Sequence, residues 1–448
     1  MKKRMLWVGL VIFLISGVAY LGFSAGAEET AMEEKVLVIA MSADVEDIDP
    51  QVGTMPRSEE AMANVYDQLV TYEVEKLPNG LLKSNTLKTS GNIAEKIEIG
   101  EDGKTYTFTL RKGIKFHSGN ELTTADVQYT WDRGFAIEAP SWGFDLSIST
   151  IKKPIKIFND YSFQFYTEEE NPITLQIFQM GGTSILDSKL LKEKATADDP
   201  WAVEWMKKNT AASGPWYIDN WKPGVEIVWK ANQDYYLTVP YFDKMIWKII
   251  PSVATQILML KRGEVDVVER LSGKDAGALE GEEGIQVWSF PSQNLCRLMP
   301  SNVVSPFNNQ KLRAALAYAI PYEEIIESVY AGKARIPRSP IAVGSPAHDE
   351  SGWIYDTNLE KAKQLVKEAG FEDGFEATLS INVSNAVHQT LAVIVQDALA
   401  KIGGKIEIDQ LNSSAFNELK YGRKLQLYID EILAWIDDPW YILNLNST

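Results

Sequence analysis

The stretch 105–133 constrains the fold of this chain more than any other part of it. Its first half alternates threonines with apolar residues, namely Tyr106, Phe108 and Leu110. This period of two is the pattern of a half-buried β-strand. A short partner strand at 114–116 follows, and Thr123 can then cap a helix that has Asp126 in its first turn. The stretch therefore predicts a strand, a tight connection and a capped helix, without a phosphate-binding loop or a paired nucleophile.

The first residues have the order of a secretory signal. Met1–Arg4 is basic, Met5–Phe23 is almost wholly apolar, and Ala25–Ala27 offers a small-residue cleavage site before Glu28. This order is typical of a signal peptide, so residues 1–27 are predicted to be removed on export. An uncleaved membrane anchor is the alternative, because the apolar run is long enough to span a bilayer.

Charge and cysteine content exclude several classes of function. The chain has 44 basic against 61 acidic residues, for a net charge of −17, so a nucleic-acid partner is not expected. Cys296 is the only cysteine, which rules out an intramolecular disulfide, and we interpret it as a small buried apolar residue. The histidines, His117, His348 and His388, do not have the spacing of paired metal ligands. No metal site and no cofactor are expected.

The residue sequence of 105–133 resembles the signature of one family, the oligopeptide- and dipeptide-type solute-binding proteins of bacterial ABC importers. That signature reads roughly Y-x-F-x-L-R-x-G-[VI]-K-[FW]-H-x-G-x-x-[LF]-[TS]-A-x-D-V. The chain matches it at Tyr106, Phe108, Leu110, Arg111, Gly113, Ile114, Lys115, Phe116, His117, Gly119, Leu122, Thr123, Asp126 and Val127. It departs at Thr124, where the family usually has alanine. Further sequence motifs of the same family resemble three other segments, at 212–236, 260–267 and 306–320. The resemblance therefore covers nearly the whole mature chain.

Patterning predicts the elements on either side of the signature. Residues 58–72 are predicted to form a helix and 76–91 to be mostly loop. After residue 357, strand and helix patterns alternate, which indicates an α/β lobe with a largely parallel sheet. The resemblance implies an α/β, bilobal periplasmic-binding-protein-like fold of the class II type, with an extra subdomain in the first lobe.

The expected domain boundaries follow from this resemblance. We place the first lobe at 28–75 and 211–290, its subdomain at 76–210, and the second lobe at 291–448, after a crossing between the lobes near 285–299. Family members usually return to the first lobe after the second is complete. The sequence reaches Thr448 just after the last predicted strand, so that return is expected to be missing.

The segment 434–441, which reads AWIDDPWY, is the main candidate for a ligand site. It follows a predicted strand, and α/β sheets bind ligands at the carboxyl ends of their strands. In peptide-binding relatives the resembling loop reads W-x-x-D-Y-x-D-P, and its first Asp pairs with the α-amino group of the peptide. Counting back from Pro439 places Trp435 at that position. If Trp435 instead matches the tryptophan of the family, the loop is shortened and Asp437 can stand in.

Other residues complete the set of candidates, with alternatives left open. Trp435 and Trp440 would suit stacking on a sugar ring or an apolar ligand, while Asp437 and Asp438 together with Pro439 could instead form a helix-capping turn. Trp142, in an aromatic loop, could line the cleft or the core. Asn294, at the predicted lobe crossing, could face the cleft or be a plain strand residue.

The resemblance implies a periplasmic substrate-binding component of an ABC importer. Such a protein captures a peptide or an oligosaccharide between two lobes and delivers it to the permease and its ATPase subunits. We expect a monomer without enzymatic activity. The alternatives are an exported hydrolase, for which the sequence offers no nucleophile or acid–base set, and a membrane-tethered receptor or chaperone built on the same lobes.

Overall fold

Four β-sheets and the helices packed on them make up the described part of the chain. The computed structural model describes residues 34–53, 55–77, 80, 82–139, 151–290, 292, 294–383, 385–432 and 436–439. The predicted signal peptide and the tryptophans Trp142, Trp435 and Trp440 lie outside these residues.

The strands are, in chain order, β1 (Val36–Met41), β2 (Val70–Lys76), β3 (Leu82–Gly91), β4 (Ala94–Ile99), β5 (Thr105–Leu110), β6 (Ile151–Asn159), β7 (Ser162–Thr167), β8 (Trp216–Lys222), β9 (Glu226–Ala231), β10 (Lys244–Ile249), β11 (Val267–Val268), β12 (Leu295–Pro300), β13 (Phe375–Asn382), β14 (Gly404–Leu411) and β15 (Leu427–Ile432). The helices are α1 (Pro56–Val65), α2 (Thr124–Ala136), α3 (Thr174–Ile177), α4 (Ser188–Lys194), α5 (Val203–Met206), α6 (Val253–Arg262), α7 (Gly273–Gly277), α8 (Gln310–Ala319), α9 (Tyr322–Tyr330), α10 (Leu359–Glu368), α11 (Ala386–Ala400) and α12 (Ser413–Tyr421), with a 3-10 helix at Gly181–Thr183.

The first-lobe sheet has the strand order β11-β1-β10-β9-β8. β1 runs parallel to both β10 and β11, whereas β10, β9 and β8 are antiparallel to one another. The apolar face of this sheet packs on α1, and Trp229 and Trp247 meet there with ring centroids 4.8 Å apart. Both tryptophans are therefore core residues of the first lobe.

The subdomain sheet, of order β4-β5-β7-β6, contains the strand-like half of the stretch 105–133. The alternating apolar residues of β5 are all buried, and Phe108 stacks on Phe163 with centroids 5.3 Å apart. Thr123 and Asp126 form a reciprocal capping box at the start of α2, as predicted. The expected strand at 114–116 is wrong, since this segment forms only one bridge, between Lys115 and Glu121.

The helix predicted at 58–72 is present but ends seven residues early, and the prediction that 76–91 is mostly loop is wrong. Helix α1 ends at Val65, and 70–76 and 82–91 pair as the antiparallel strands β2 and β3. Leu69 and Val70 continue the apolar spacing of the helix, but they pack in the subdomain core and not in the core beneath α1. The chain crosses from one core to the other between Tyr66 and Leu69, so the apolar spacing continues past the end of the helix.

The second-lobe sheet has the order β12-β15-β13-β14. β13 is parallel to β14 and β15, and only β12 runs antiparallel, so the prediction of a largely parallel sheet is confirmed. Helices α8, α10 and α11 bury their apolar faces in one core with this sheet. Within the described residues, none of the helices combines the length and apolar character that a bilayer-spanning helix needs.

Asp67 is a buried carboxyl group at the crossing between the first-lobe core and the subdomain. Its oxygens accept hydrogen bonds from Tyr235, Asn92 and Ser213, at 3.0, 3.3 and 3.4 Å. Burial nevertheless raises the pKa of Asp67 to about 6, because desolvation of the charge outweighs these bonds. Between the unfolded-state pKa of about 3.9 and this value, the folded protein holds the extra proton, so ionisation of Asp67 destabilises the fold as the pH rises.

We therefore expect the free energy of unfolding to fall with rising pH more steeply in the native protein than in Asp67→Asn. The relative loss should reach about 2–3 kcal/mol between about pH 4 and pH 7, as measured by urea titration at each pH. Asp102→Asn is the control. The backbone N–H of Lys104 lowers the pKa of Asp102, so its carboxylate is ionised in both states across most of this range. Parallel pH profiles for the native protein and Asp67→Asn would contradict the expectation.

Candidate ligand-binding site

The short segment 436–439 follows β15 in the chain and packs against the subdomain. Ile436 is completely buried and packs in one cluster with Ile173, Ile177 and Met180 of the subdomain. The segment thus leaves the second-lobe sheet and lies against the first lobe.

Asp437 is the buried charged group of this segment. Asp437 is only 7% exposed, and its Oδ2 accepts a hydrogen bond from Thr86 Oγ1 at 2.8 Å. Its Oδ1 has no hydrogen-bond partner among the described residues. A buried carboxylate oxygen without a donor is unfavourable by about 1–3 kcal/mol or more. The site is therefore built to receive a hydrogen-bond donor that the described chain does not supply.

An irregularity in the β2–β3 pair brings Thr86 to this carboxylate. The register shifts between Tyr72, which lies opposite Thr89, and Glu73, which lies opposite Asn85, so that 86–88 stand outside the ladder. Such bulges re-aim side chains next to functional sites. Sequence patterning does not identify Thr86, because 83–90 is polar apart from Leu87 and lacks the alternation that marks a half-buried strand.

Tyr72 is another first-lobe residue whose pKa is affected by the charge of Asp437. Burial, with the negative charge of Asp437 adding to it, raises the pKa of Tyr72 to about 12. Its hydroxyl therefore stays protonated at neutral pH and accepts a hydrogen bond from Gln179 Nε2 at 3.2 Å. The surroundings of Asp437 thus combine one anion with neutral polar groups.

Asp438 and Asn294 are the other candidate site residues that the structure describes. Asp438 is half-buried, and its N–H donates to the carbonyl of Ile436 at 2.9 Å, which closes a tight turn at this point. Asn294 is exposed just before β12, and its Nδ2 donates to Glu431 Oε2 at 2.8 Å. Trp142, Trp435 and Trp440 are not among the described residues, so their roles stay predictions.

The structure also brings together three residues that are far apart in the sequence. Cys296, His388 and Glu431 each place a polar atom within 4.8 Å of the others. The interpretation of Cys296 as a buried residue is wrong. It lies exposed on β12, which is the edge strand of its sheet.

This cluster has the residue types of a cysteine nucleophile with a histidine and a carboxylate. Its sulfur is nevertheless largely desolvated, and this raises the pKa of Cys296 to about 11. A reactive cysteine has a lowered pKa, because the thiolate is the attacking form. The arrangement therefore gives no support to the hydrolase alternative.

Comparisons with known proteins agree with the bilobal architecture. The family model described as "Bacterial extracellular solute-binding proteins, family 5 Middle" matches residues 88–448. The probable D,D-dipeptide-binding periplasmic protein DdpA of Escherichia coli K12 is 26% identical over 416 residues, which cover 92% of this chain and 78% of that protein. The dipeptide-binding protein of the same organism is 27% identical over 419 residues, covering 88% and 75% respectively.

A solved structure is similar along almost the same length. The periplasmic binding protein DppA from Helicobacter pylori, in complex with the peptide STSA, superposes with a TM-score of 0.79 at 26% sequence identity. The match covers 92% of this chain and 80% of that one. Its two-lobed α/β fold is the fold described above.

Proposed function

The chain belongs to the bacterial extracellular solute-binding proteins of family 5, and from this membership we propose that it binds a peptide with a free α-amino group. The peptide is held between the two lobes and handed to an ABC importer. The observation that carries the proposal is the buried Asp437 carboxylate, whose Oδ1 lacks a donor among the described residues. Its counterpart would be the ammonium group of the peptide.

An ammonium group suits this carboxylate better than a neutral donor does. It supplies three N–H donors together with the opposite charge, whereas a sugar hydroxyl would leave the buried anion uncompensated. Charge-assisted hydrogen bonds are roughly twice as strong as neutral ones. Thr86 Oγ1 already occupies Oδ2, at 2.8 Å, so the ligand would bond to Oδ1.

Relatives support the same ligand class. Two similar proteins are named for binding dipeptides or D,D-dipeptides, and a similar structure holds the peptide STSA. Between the peptide and the oligosaccharide that the sequence left open, we therefore favour the peptide. Trp435 and Trp440 remain proposed contacts for ligand side chains.

Export to the periplasm and docking on a permease are part of this proposal. The similar proteins from Escherichia coli include one named as periplasmic, and Met1–Ala27 has the order of a signal peptide. The proposed role requires ligand binding and closure of the lobes. It requires no bond-making chemistry.

A ligand screen by thermal unfolding tests the proposal. Free-amine peptides of two to four residues should raise the Tm by about 5 °C at a hundredfold excess over Kd, because only the folded protein binds them. The N-acetylated forms of the same peptides are the matched controls, and they should give little or no shift. Stabilisation by α- or β-linked oligosaccharides, with none by peptides, would overturn the peptide assignment while leaving family membership intact.

A further inference from the structure

The cluster of Cys296, His388 and Glu431 lies in the second lobe, apart from Asp437 and its partners. Cys296 on β12 and Glu431 on β15 are direct cross-strand partners in the antiparallel ladder. His388 comes from the first turn of α11. Their sulfur, ring nitrogen and carboxylate oxygen all lie within 4.8 Å of one another.

The position of His388 is set by the helix cap that precedes it. The side chain of Asn385 accepts hydrogen bonds from the N–H groups of Val387 and His388, at 3.0 and 3.3 Å. The other end of the same amide, Nδ2, donates to Glu431 Oε1 at 3.1 Å. One asparagine therefore fixes both the helix that carries the histidine and the carboxylate that faces it.

The ring nitrogens of His388 indicate that this cluster lacks a ligand. The residue is only 4% exposed, yet neither Nδ1 nor Nε2 has a hydrogen-bond partner among the described residues. Nε2 lies 3.3 Å from Glu431 Oε1 as an ion-pair contact, but without hydrogen-bond geometry. A buried imidazole without a hydrogen bond is unfavourable, and a ligand at Nε2 would relieve this at one of its two nitrogens.

The separation of these two atoms fits a shared metal ion. Nitrogen and oxygen ligands lie about 2.0–2.2 Å from zinc in tetrahedral sites, so two such ligands stand about 3.4 Å apart. The observed distance is 3.3 Å. Sulfur, imidazole and carboxylate form a donor set of borderline softness that suits Zn²⁺ and its neighbours in the first transition row, and does not suit Ca²⁺ or Mg²⁺.

Neighbouring polar groups hold two of the three ligands in place. Asn294 Nδ2 donates to Glu431 Oε2, and Asn385 donates to Oε1. The Asn385 side chain also accepts from the N–H of His388, at 3.3 Å, and so holds the helix turn that carries the imidazole. Ligating carboxylates in metal sites have such partners, which orient them and tune affinity. Cys296 and Glu431 both keep an exposed surface, so an ion can enter from solvent.

We propose that Cys296 Sγ, His388 Nε2 and Glu431 Oε1 form a site for one divalent transition-metal ion of the zinc type. Water, or a donor group of a bound solute, completes the coordination. The site uses no residue of the proposed ammonium pocket, so its test is independent of peptide binding.

Metal titration of the purified full chain tests the site, with affinity tags removed and the protein stripped by chelator under reducing conditions. Zn²⁺ measured by calorimetry should bind at one ion per chain. Co²⁺ should add a near-ultraviolet thiolate-to-metal band, which reports directly on Cys296. Cys296→Ser should abolish this band and weaken Zn²⁺ by about 100-fold or more, and Asn294→Ala should weaken it by about tenfold or more.

His348→Gln is the matched control, because His348 also faces a glutamate, with Nε2 3.1 Å from Glu350 Oε1, but has no cysteine beside it. It should leave Zn²⁺ affinity unchanged, whereas His388→Gln should weaken it by about 100-fold or more. Should His388→Gln fail to fold, Cys296→Ser on the exposed edge strand carries the test alone. No Zn²⁺ binding, or equal affinity in the native protein and Cys296→Ser, would overturn the site.

Discussion

Replacing Asp437 with asparagine is expected to lower the affinity for a free-amine peptide by about two to three orders of magnitude. The asparagine keeps the shape of the side chain and can still accept from Thr86. It removes the negative charge, however, and leaves the ammonium of the ligand buried without a counter-ion. Breaking a buried ion pair in this way costs about 3–5 kcal/mol. Calorimetry with one peptide on both proteins measures the loss directly.

Two controls separate this effect from general damage. Asp438→Asn alters the neighbouring carboxyl group, which is half-buried in the tight turn, and should change affinity little. Thr86→Val removes the one hydrogen bond that Asp437 accepts from the described residues, and should weaken binding by about tenfold. Unchanged peptide affinity in a folded Asp437→Asn would exclude this carboxylate as the ammonium partner.

Replacing Arg133 with methionine is expected to destabilise the first lobe by about 3–5 kcal/mol. Arg133 and Asp49 are both fully buried and form an ion pair. The guanidinium also donates to Gln51 Oε1 at 2.7 Å and to the carbonyl of Trp201 at 2.9 Å. Methionine fills part of the same volume but leaves the Asp49 carboxylate buried with its charge uncompensated. Urea titration of the free energy of unfolding measures the effect.

A double-mutant cycle identifies the uncompensated charge as the cause. Asp49→Asn added to Arg133→Met removes the orphaned anion, so the double variant should be more stable than the sum of the two single changes predicts. A coupling energy near zero would show that the loss comes from packing alone. A loss below about 1 kcal/mol in Arg133→Met would contradict the burial argument.

Local sequence patterns predicted those elements whose partners lie nearby in the chain. The alternation in 105–110 and the cap at Thr123 are properties of short segments, and both are present in the structure. The helix predicted at 58–72 ends at Val65 because the apolar residues of this stretch belong to two different cores. Such a division depends on where the chain crosses between cores, and spacing alone does not encode it.

In the candidate site, too, local sequence predicts some features and only the fold decides the others. Asp437 could be proposed from its place after a strand and from the resembling loop, but its burial and its free oxygen could not. Thr86 reaches it only because the β2–β3 register shifts, over a separation of 351 residues along the chain. The largely polar segment around Thr86 has no sequence pattern that predicts such a contact.

The sequence by itself therefore determined the family, the α/β architecture of the second lobe and the segment that carries the candidate aspartate. Each rests on residues adjacent in the chain, where covalent spacing dictates which side chains share a face. Only the tertiary structure decided which atoms meet, as in Thr86 with Asp437 and Cys296 with His388 and Glu431. These contacts arise when strands and helices from distant segments pack in one core, and that packing follows from the balance of burial across the whole chain.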